Sequence, residues 1–201
     1  MNNTEKIKIG LISLEELDSN QSLQILRIRN DASVRRWMYT DHEISLPEHQ
    51  KWLNRVNQDE SRRDFAVLHK GLPIGVVSAV DINSKHGTAS WAYYLQDSAR
   101  GGIGAFIEYC FIEYIFNELK VDKLNCEVIE GNAAVVKLHE KFLFSKEGFR
   151  RSNVVKDGVR CGVYLLGLTG EDWLSGKASL FEKYRKFFDK FTVEIIRKEF
   201  K

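Results

Sequence analysis

Residues 95–106, LQDSARGGIGAF, carry the chain out of a strand-like run and straight into an almost continuously apolar stretch ending at Leu119. Gly101, Gly102 and Gly104 let the backbone approach a ligand closely. Amides at the start of the following helix have no intrahelical acceptor. With the helix dipole behind them and Arg100 beside them, they suit a phosphate or pyrophosphate. A glycine cluster alone is also met in turns that bind nothing. No Gly-Lys-Ser/Thr follows, so this is not a Walker A loop. The runs before it read as antiparallel strands, so it does not open a Rossmann unit either.

Outward from this turn, period and punctuation divide the chain. IKIGLIS (7–13) reads as a first strand, and SLQILRIRND (22–31) as a helix capped by Ser22. RRWMYTDHEIS (35–45) reads as a polar-aromatic loop. Ser45, Pro47 and Glu48 then open a second helix with a complete capping box. Strands follow at 64–70, 72–82 and 88–96, separated by Gly71 and the turn NSKHG. Residues 104–119 read as a helix buried on most of its surface, with Glu108, Glu113 and Glu118 on one side. A strand at 123–130, a helix at 132–142 and two strands flanking the turn Lys156–Asp157–Gly158 complete the order β-α-α-β-β-β-α-β-α-β-β. That order predicts an α/β fold with a mixed sheet over residues 1–174. Beyond Gly176, Leu180, Phe181, Tyr184, Phe187, Phe188, Phe191, Ile195 and Ile196 fall at helical spacing, which predicts an amphipathic helical tail over 175–201.

A net charge of +2 lacks the basic excess of a dedicated nucleic-acid binder. Eight Lys/Arg against four Asp/Glu lie after Gly176, so only the tail is basic. MNNTEKIKIG has no apolar core of a signal peptide, and no run is long enough to span a bilayer. Cys110, Cys126 and Cys161 show neither disulfide nor zinc spacing. A cytoplasmic, metal-free protein is expected. The tail helix is expected to support a homodimer.

The succession RGGIGA, apolar helix, CEVIEGN and VVKLHEKFLFSKEGFRR resembles the GNAT superfamily of acetyl-CoA-dependent acetyltransferases through its cofactor-binding half. There an R/Q-x-x-G-x-G/A turn holds the pyrophosphate of coenzyme A. Gly102 and Gly104 match its two small positions, while Ala99 stands where Arg or Gln is usual and Arg100 comes one residue later. The resemblance implies acetyl-CoA contacts from Arg100, Gly101, Gly102, Ile103, Gly104 and Ala105. It also implies a strand edge at Tyr94, Leu95 and Gln96 along a splayed strand, Asn132 at the pantetheine arm, and Lys137 or Lys141 at the nucleotide end.

Acetyl transfer from a thioester to an amine needs a neutral amine, a donor for the developing oxyanion, a proton for the departing thiolate and two aligned substrates. Glu127, on the strand facing the opening, is the candidate base or amine-orienting carboxylate. Its neighbours Cys126 and Val128 suggest apolar surroundings; the alternative is a surface carboxylate. His139 stands in Leu138-His139-Glu140-Lys141, where many relatives have a tyrosine that protonates the coenzyme A sulfur. An imidazolium can serve there too; the competing account is a satisfied core histidine.

RIRNDASVRRWMYTDHEISLPEHQKWL further resembles the acetyltransferases of pseudaminic-acid biosynthesis, in Arg29-Asn30, Val34 to Tyr39, Ile44-Ser45 and Glu48-His49. This implies transfer to the 4-amino group of a UDP-linked 4-amino-4,6-dideoxy-N-acetyl sugar. Arg29 and His49 suit its phosphate or uracil oxygens. Met38, Tyr39 and Trp52 suit its methyl-bearing ring, Lys85 the nucleotide, and Tyr94 the sugar. Two alternatives stand beside this: a GNAT enzyme acting on a protein N-terminus, which would need an acidic groove, and a non-catalytic acyl-CoA-binding regulator.

Overall fold

Side chains that alternate along each strand are sorted onto two opposite faces of the sheet. Along β1 (Ile7–Ser13), Ile9 and Leu11 join one apolar cluster and Ile12 the other. In β2 (Arg63–His69), Val67 goes with the first set, Ala66 and Leu68 with the second. The computed structural model describes residues 6–99 and 102–196, and within it these alternations make one sheet with helices on both faces. The remaining strands are β3 (Leu72–Asn83), β4 (Thr88–Leu95), β5 (Lys123–Ile129), β6 (Ser145–Lys156), β7 (Val159–Thr169) and β8 (Phe191–Ile196), in spatial order β6-β7-β5-β4-β3-β2-β1-β8. The expected mixed α/β sheet is the observed one.

One face carries α1 (Ser19–Asn30) and α3 (Leu46–Val56), whose Ile25 and Val56 pack on Ile12, Leu14, Ala66, Leu68 and Val76. The other carries α4 (Gly102–Asn117), α5 (Ala133–Lys141) and α6 (Gly170–Phe188), which enclose the larger cluster. Several details differ from the sequence reading. Asp18, not Ser22, caps α1, in a reciprocal box with Gln21. Ser45 does cap α3, but the box is half-made, because the Glu48 carboxylate turns to His42 Nε2 at 2.9 Å. Asp31 starts a short helix α2 (Ala32–Arg35) inside the expected loop. The three glutamates do not share a side: Glu108 and Glu113, five residues apart on α4, are turned about 140° from one another, and Glu118 lies past the end of the helix. Glu108 is buried, Glu113 accepts from Trp173 Nε1 and Lys177 Nζ, and Glu118 is exposed.

The tail is also different. α6 begins at Gly170, capped by Thr169, and stops at Phe188. The next residues form β8, paired in parallel with β1 from Ile7↔Phe191 to Ile12↔Ile196. Thr192, Val193, Ile195 and Ile196 are β-branched, which favours a strand once an unpaired edge is within reach. Leu180, Phe188 and Phe191 are buried in the main cluster, so the apolar side expected to offer a dimer contact is turned onto α4. Gly102 belongs to the same contact: a Cβ there would fall 1.6 Å from the Phe187 ring. No described helix is long and apolar enough to cross a membrane.

One buried lysine ties two distant parts together. Lys156, at the end of β6, is 7% exposed and donates from Nζ to the carbonyl of Met38 at 2.8 Å, with that of Arg35 at 3.4 Å. Lys156→Met is expected to destabilise by about 1–3 kcal/mol in urea unfolding, with hydrogen exchange rising most in residues 35–45. Trp173, 0% exposed in the first turn of α6, is a larger anchor. Trp173→Ala is expected to cost about 3–5 kcal/mol in the same measurement.

Candidate active site

β4 and β5 are paired only at one end. Thr88, Ala89 and Ser90 face Lys123, Leu124 and Asn125, and there the parallel ladder stops. β4 stays with β3 as far as Leu95, and β5 stays with β7 as far as Ile129. The two halves of the sheet therefore diverge, and a cavity of about 420 Å³ opens between Trp91–Leu95 and Cys126–Ile129. It runs through the sheet. Cys126 and Val128 line it on the α4/α5 face, and Glu127, one residue out of phase, lies towards Tyr39 on the α2 side.

On the α4/α5 side the first turn of α4 meets the edge of β4. Gly104 lines the cavity in the first turn of α4, and a Cβ on it would sit 3.4 Å from Leu95 Cδ1. Ile103 and Ala105 pack against the main cluster, while Arg100 and Gly101 lie outside the described residues. Asn132 lines the cavity and makes no side-chain capping bond to α5. The Gln96 N–H is committed to Ile74 O at 2.9 Å. Alternation along the antiparallel ladder then points the Tyr94 N–H to β3 as well, and the Leu95 N–H to the opening. Of the three, Leu95 is the one able to offer an amide. Lys137 and Lys141 are exposed on α5 and do not line the cavity.

His139 lines the same side. It is 2% exposed, boxed by Trp91, Tyr93 and Phe144, and its Nδ1 is 2.7 Å from Glu108 Oε1. Burial works against charge on the imidazole, but the Glu108 carboxylate and the neighbouring Cys126 outweigh it and lift its pKa to about 10. The same burial raises the carboxyl of Glu108, with His139 opposing, so the two titrate as one unit.

On the other side Glu127 is not in the apolar setting expected of it. It is half exposed, accepts the Tyr39 hydroxyl on Oε2 and the Arg150 guanidinium on Oε1 at 2.6 Å. Tyr39 is pushed above its ordinary pKa, first by burial and then by this bond, and so stays a donor through the neutral range. Met38 lines the cavity beside it. Tyr94 also lines it, raised by burial with Arg29 opposing. Arg29 lies next to Tyr94, and its Nη1 is buried with no hydrogen-bond partner among the described residues.

Three expected acceptor contacts are placed elsewhere. His49 is 2% exposed and binds Ser22 through Nε2, at 3.2 Å to Oγ and 3.1 Å to the carbonyl, so it locks α3 onto α1. Trp52 stacks on it and packs against the smaller apolar cluster. Lys85 is exposed in the turn between β3 and β4, at the paired end of β4 and not the open one. Conversely, Arg150, Glu108 and Lys156 were not singled out from the sequence. Arg150 reaches Glu127 across β7, a neighbourhood that only the strand order reveals. Among the described residues no group of three or more His, Cys, Asp or Glu could hold a metal ion.

Residues 8–145 match the family described as acetyltransferase (GNAT) domain. The chain is 29% identical over 137 residues to the acetyltransferase PseH of Campylobacter jejuni, covering 68% of this chain and 85% of that one. It is 25% identical over 138 residues to the spermidine N(1)-acetyltransferase of Escherichia coli, covering 68% and 74%. In fold it is similar to the Vibrio cholerae spermidine N-acetyltransferase in complex with CoA and spermine (TM-score 0.74, 21% identity, 83% and 98% covered). It is likewise similar to Campylobacter jejuni PseH in complex with acetyl coenzyme A (TM-score 0.61, 23% identity, 81% and 99% covered). With the family matched across most of its length and the split sheet in place, the chain belongs to the GNAT acetyltransferases.

Proposed function

We propose that this enzyme moves the acetyl group of acetyl-CoA to the 4-amino group of a UDP-linked 4-amino-4,6-dideoxy-N-acetyl sugar, by direct attack in a ternary complex. The observation that carries the reading is the Glu127–Tyr39–Arg150 cluster at the α2 side of the cleft. A carboxylate there can take or orient an ammonium. The arginine against it favours an acceptor that also brings negative charge. Arg29, with a buried guanidinium nitrogen that has no hydrogen-bond partner among the described residues, adds a second cation on the same face. Trp37, Met38 and Tyr39 offer an apolar wall to a 6-deoxy ring. Spermidine, a polycation, would meet arginine where it needs carboxylates, although relatives that acetylate spermidine share the scaffold. Similarity to PseH supports the sugar.

In this reading the thioester enters from the α4/α5 side, where Gly104, Asn132 and the Leu95 amide line its path. The Leu95 N–H stabilises the oxyanion. Glu127 draws the proton from the attacking amine while Tyr39 and Arg150 fix its geometry. His139 protonates the leaving thiolate. A cytoplasmic setting, where acetyl-CoA is made and thiols stay reduced, suits the three free cysteines.

Release of coenzyme A thiol is the measurement, with the UDP-amino-sugar, spermidine and an Ala-terminated peptide as parallel acceptors. Turnover with the sugar alone is expected. Turnover with spermidine or the peptide alone sinks the assignment, and saturable acetyl-CoA binding without any turnover favours the regulatory alternative. With the sugar, Glu127→Gln is expected to lower kcat about 100-fold or more, with acetyl-CoA KM little changed. Tyr39→Phe, which removes one hydrogen bond to Glu127, is expected to raise the acceptor KM by about 5–10-fold.

A further inference from the structure

Glu108 has no ordinary structural reason to be where it is. It lies in the middle of α4 with 0% exposure, touches His139 through Oε1 at 2.7 Å, and leaves Oε2 buried with no hydrogen-bond partner among the described residues. A buried carboxylate with an unmet oxygen is a costly device, and an all-apolar replacement of the Glu108–His139 pair would cost the helix packing little or nothing. What it does provide is a carboxyl group fixed behind one edge of an imidazole that lines the cleft.

We propose that Glu108 is a positioning residue for the transfer: it holds His139 as a fixed imidazolium that donates its proton to the coenzyme A thiolate. This rests on the acetyl-transfer reading above. As the C–N bond forms and the C–S bond breaks, the electron pair stays on sulfur. Sulfur then takes the proton from His139, the nitrogen releases its own proton towards Glu127 and solvent, and the imidazole is reprotonated from solvent before the next turnover. Protons and electrons balance, and no oxidant or metal is needed.

The chemistry explains why a carboxylate belongs here. An amine attacks only when neutral, which favours high pH, and a general acid acts only while protonated, which favours low pH. An unassisted histidine, with a pKa near 6.5, has surrendered its proton where most amines are becoming neutral. His139 retains its own to about 10. The groups around the ring are Glu108 on α4, Cys126 on β5, and Tyr93 and Trp91 on β4, so Glu108 is the one carboxylate facing it among the described contacts.

Wild-type kcat is expected to hold its plateau until the pH approaches about 10. Glu108→Gln keeps the shape and the hydrogen bond but not the charge. Its plateau is expected to end at or below about pH 6.5, because burial then acts unopposed by the Glu108 charge, lowering kcat at pH 8.5 by about 100-fold or more while the acetyl-CoA KM stays within about twofold. A second readout needs no acceptor: in ¹⁵N-histidine-labelled enzyme, the resonance lost in His139→Phe titrates near 10 in the wild type and well below that in Glu108→Gln. An unchanged histidine titration or an unmoved alkaline limb overturns the proposal. A shifted titration without turnover on any UDP-amino-sugar instead sinks the acceptor assignment. Glu108→Leu combined with His139→Phe, an all-apolar pair expected to fold, should match His139→Phe alone in kcat. A further additive loss would give Glu108 a separate role and also overturn the proposal.

Discussion

Among the described residues, three on each side, Thr88–Ser90 and Lys123–Asn125, are all that pair the two halves of the sheet. Everything functional depends on where that ladder ends. Beyond it, Trp91, Tyr93 and Leu95 keep β3 on one side but have no strand on the other, and backbone that would be satisfied inside a sheet is turned to a cavity. Such an edge would be an aggregation hazard if it lay at the rim of the sheet. Here it is internal, roofed by α5 and by the segment around Trp37–Tyr39, so that the unmet hydrogen-bonding capacity is offered to a ligand and to little else.

The split survives because each half is independently fastened. β5 is held by β7 along its whole length, and β4 by β3. Below them, α4 spans the divergence, with Phe106, Phe111 and Ile115 buried in the main cluster. α6 and β8 then close the far edge, and Gly102 permits the Phe187 ring to lie against the start of α4. The glycine therefore has a packing reason as well as the ligand-binding one that its sequence context suggests. Gly104, which lines the cleft, has the stronger claim to the ligand.

Most of the fold could be read from period and punctuation because local patterning and tertiary structure agree. The strands of the hairpin β3–β4 and the helix α5 lie within a residue or two of their expected bounds. Disagreement arose where one pattern serves two structures. Phe191, Val193, Ile195 and Ile196 fit a helical stripe, but Phe191, Val193 and Ile195 also fit a period of two, and an open edge at β1 decides between them. At the site, residues facing the cleft from single elements were legible: Tyr39, Tyr94, Gly104, Glu127, Asn132 and His139. Partnerships were not. Glu108 and His139 are 31 positions apart, and Arg150 and Glu127 are 23 apart across an intervening strand. His49 misled because a polar residue in an exposed-looking helix was in fact the buried clasp to Ser22.

The two mouths of the cleft are built from different parts of the chain. The α4/α5 side is made by elements knitted into the main core, whereas the α2 side is framed by a short irregular stretch between α1 and α3. That stretch is secured by a few polar ties, Asn30 to Ile44 and Lys156 to Met38 among them. Replacing such a stretch disturbs little of the buried apolar interior. Substitutions in this rim can therefore reshape one mouth of the cleft while the other, tied into the core, keeps its form.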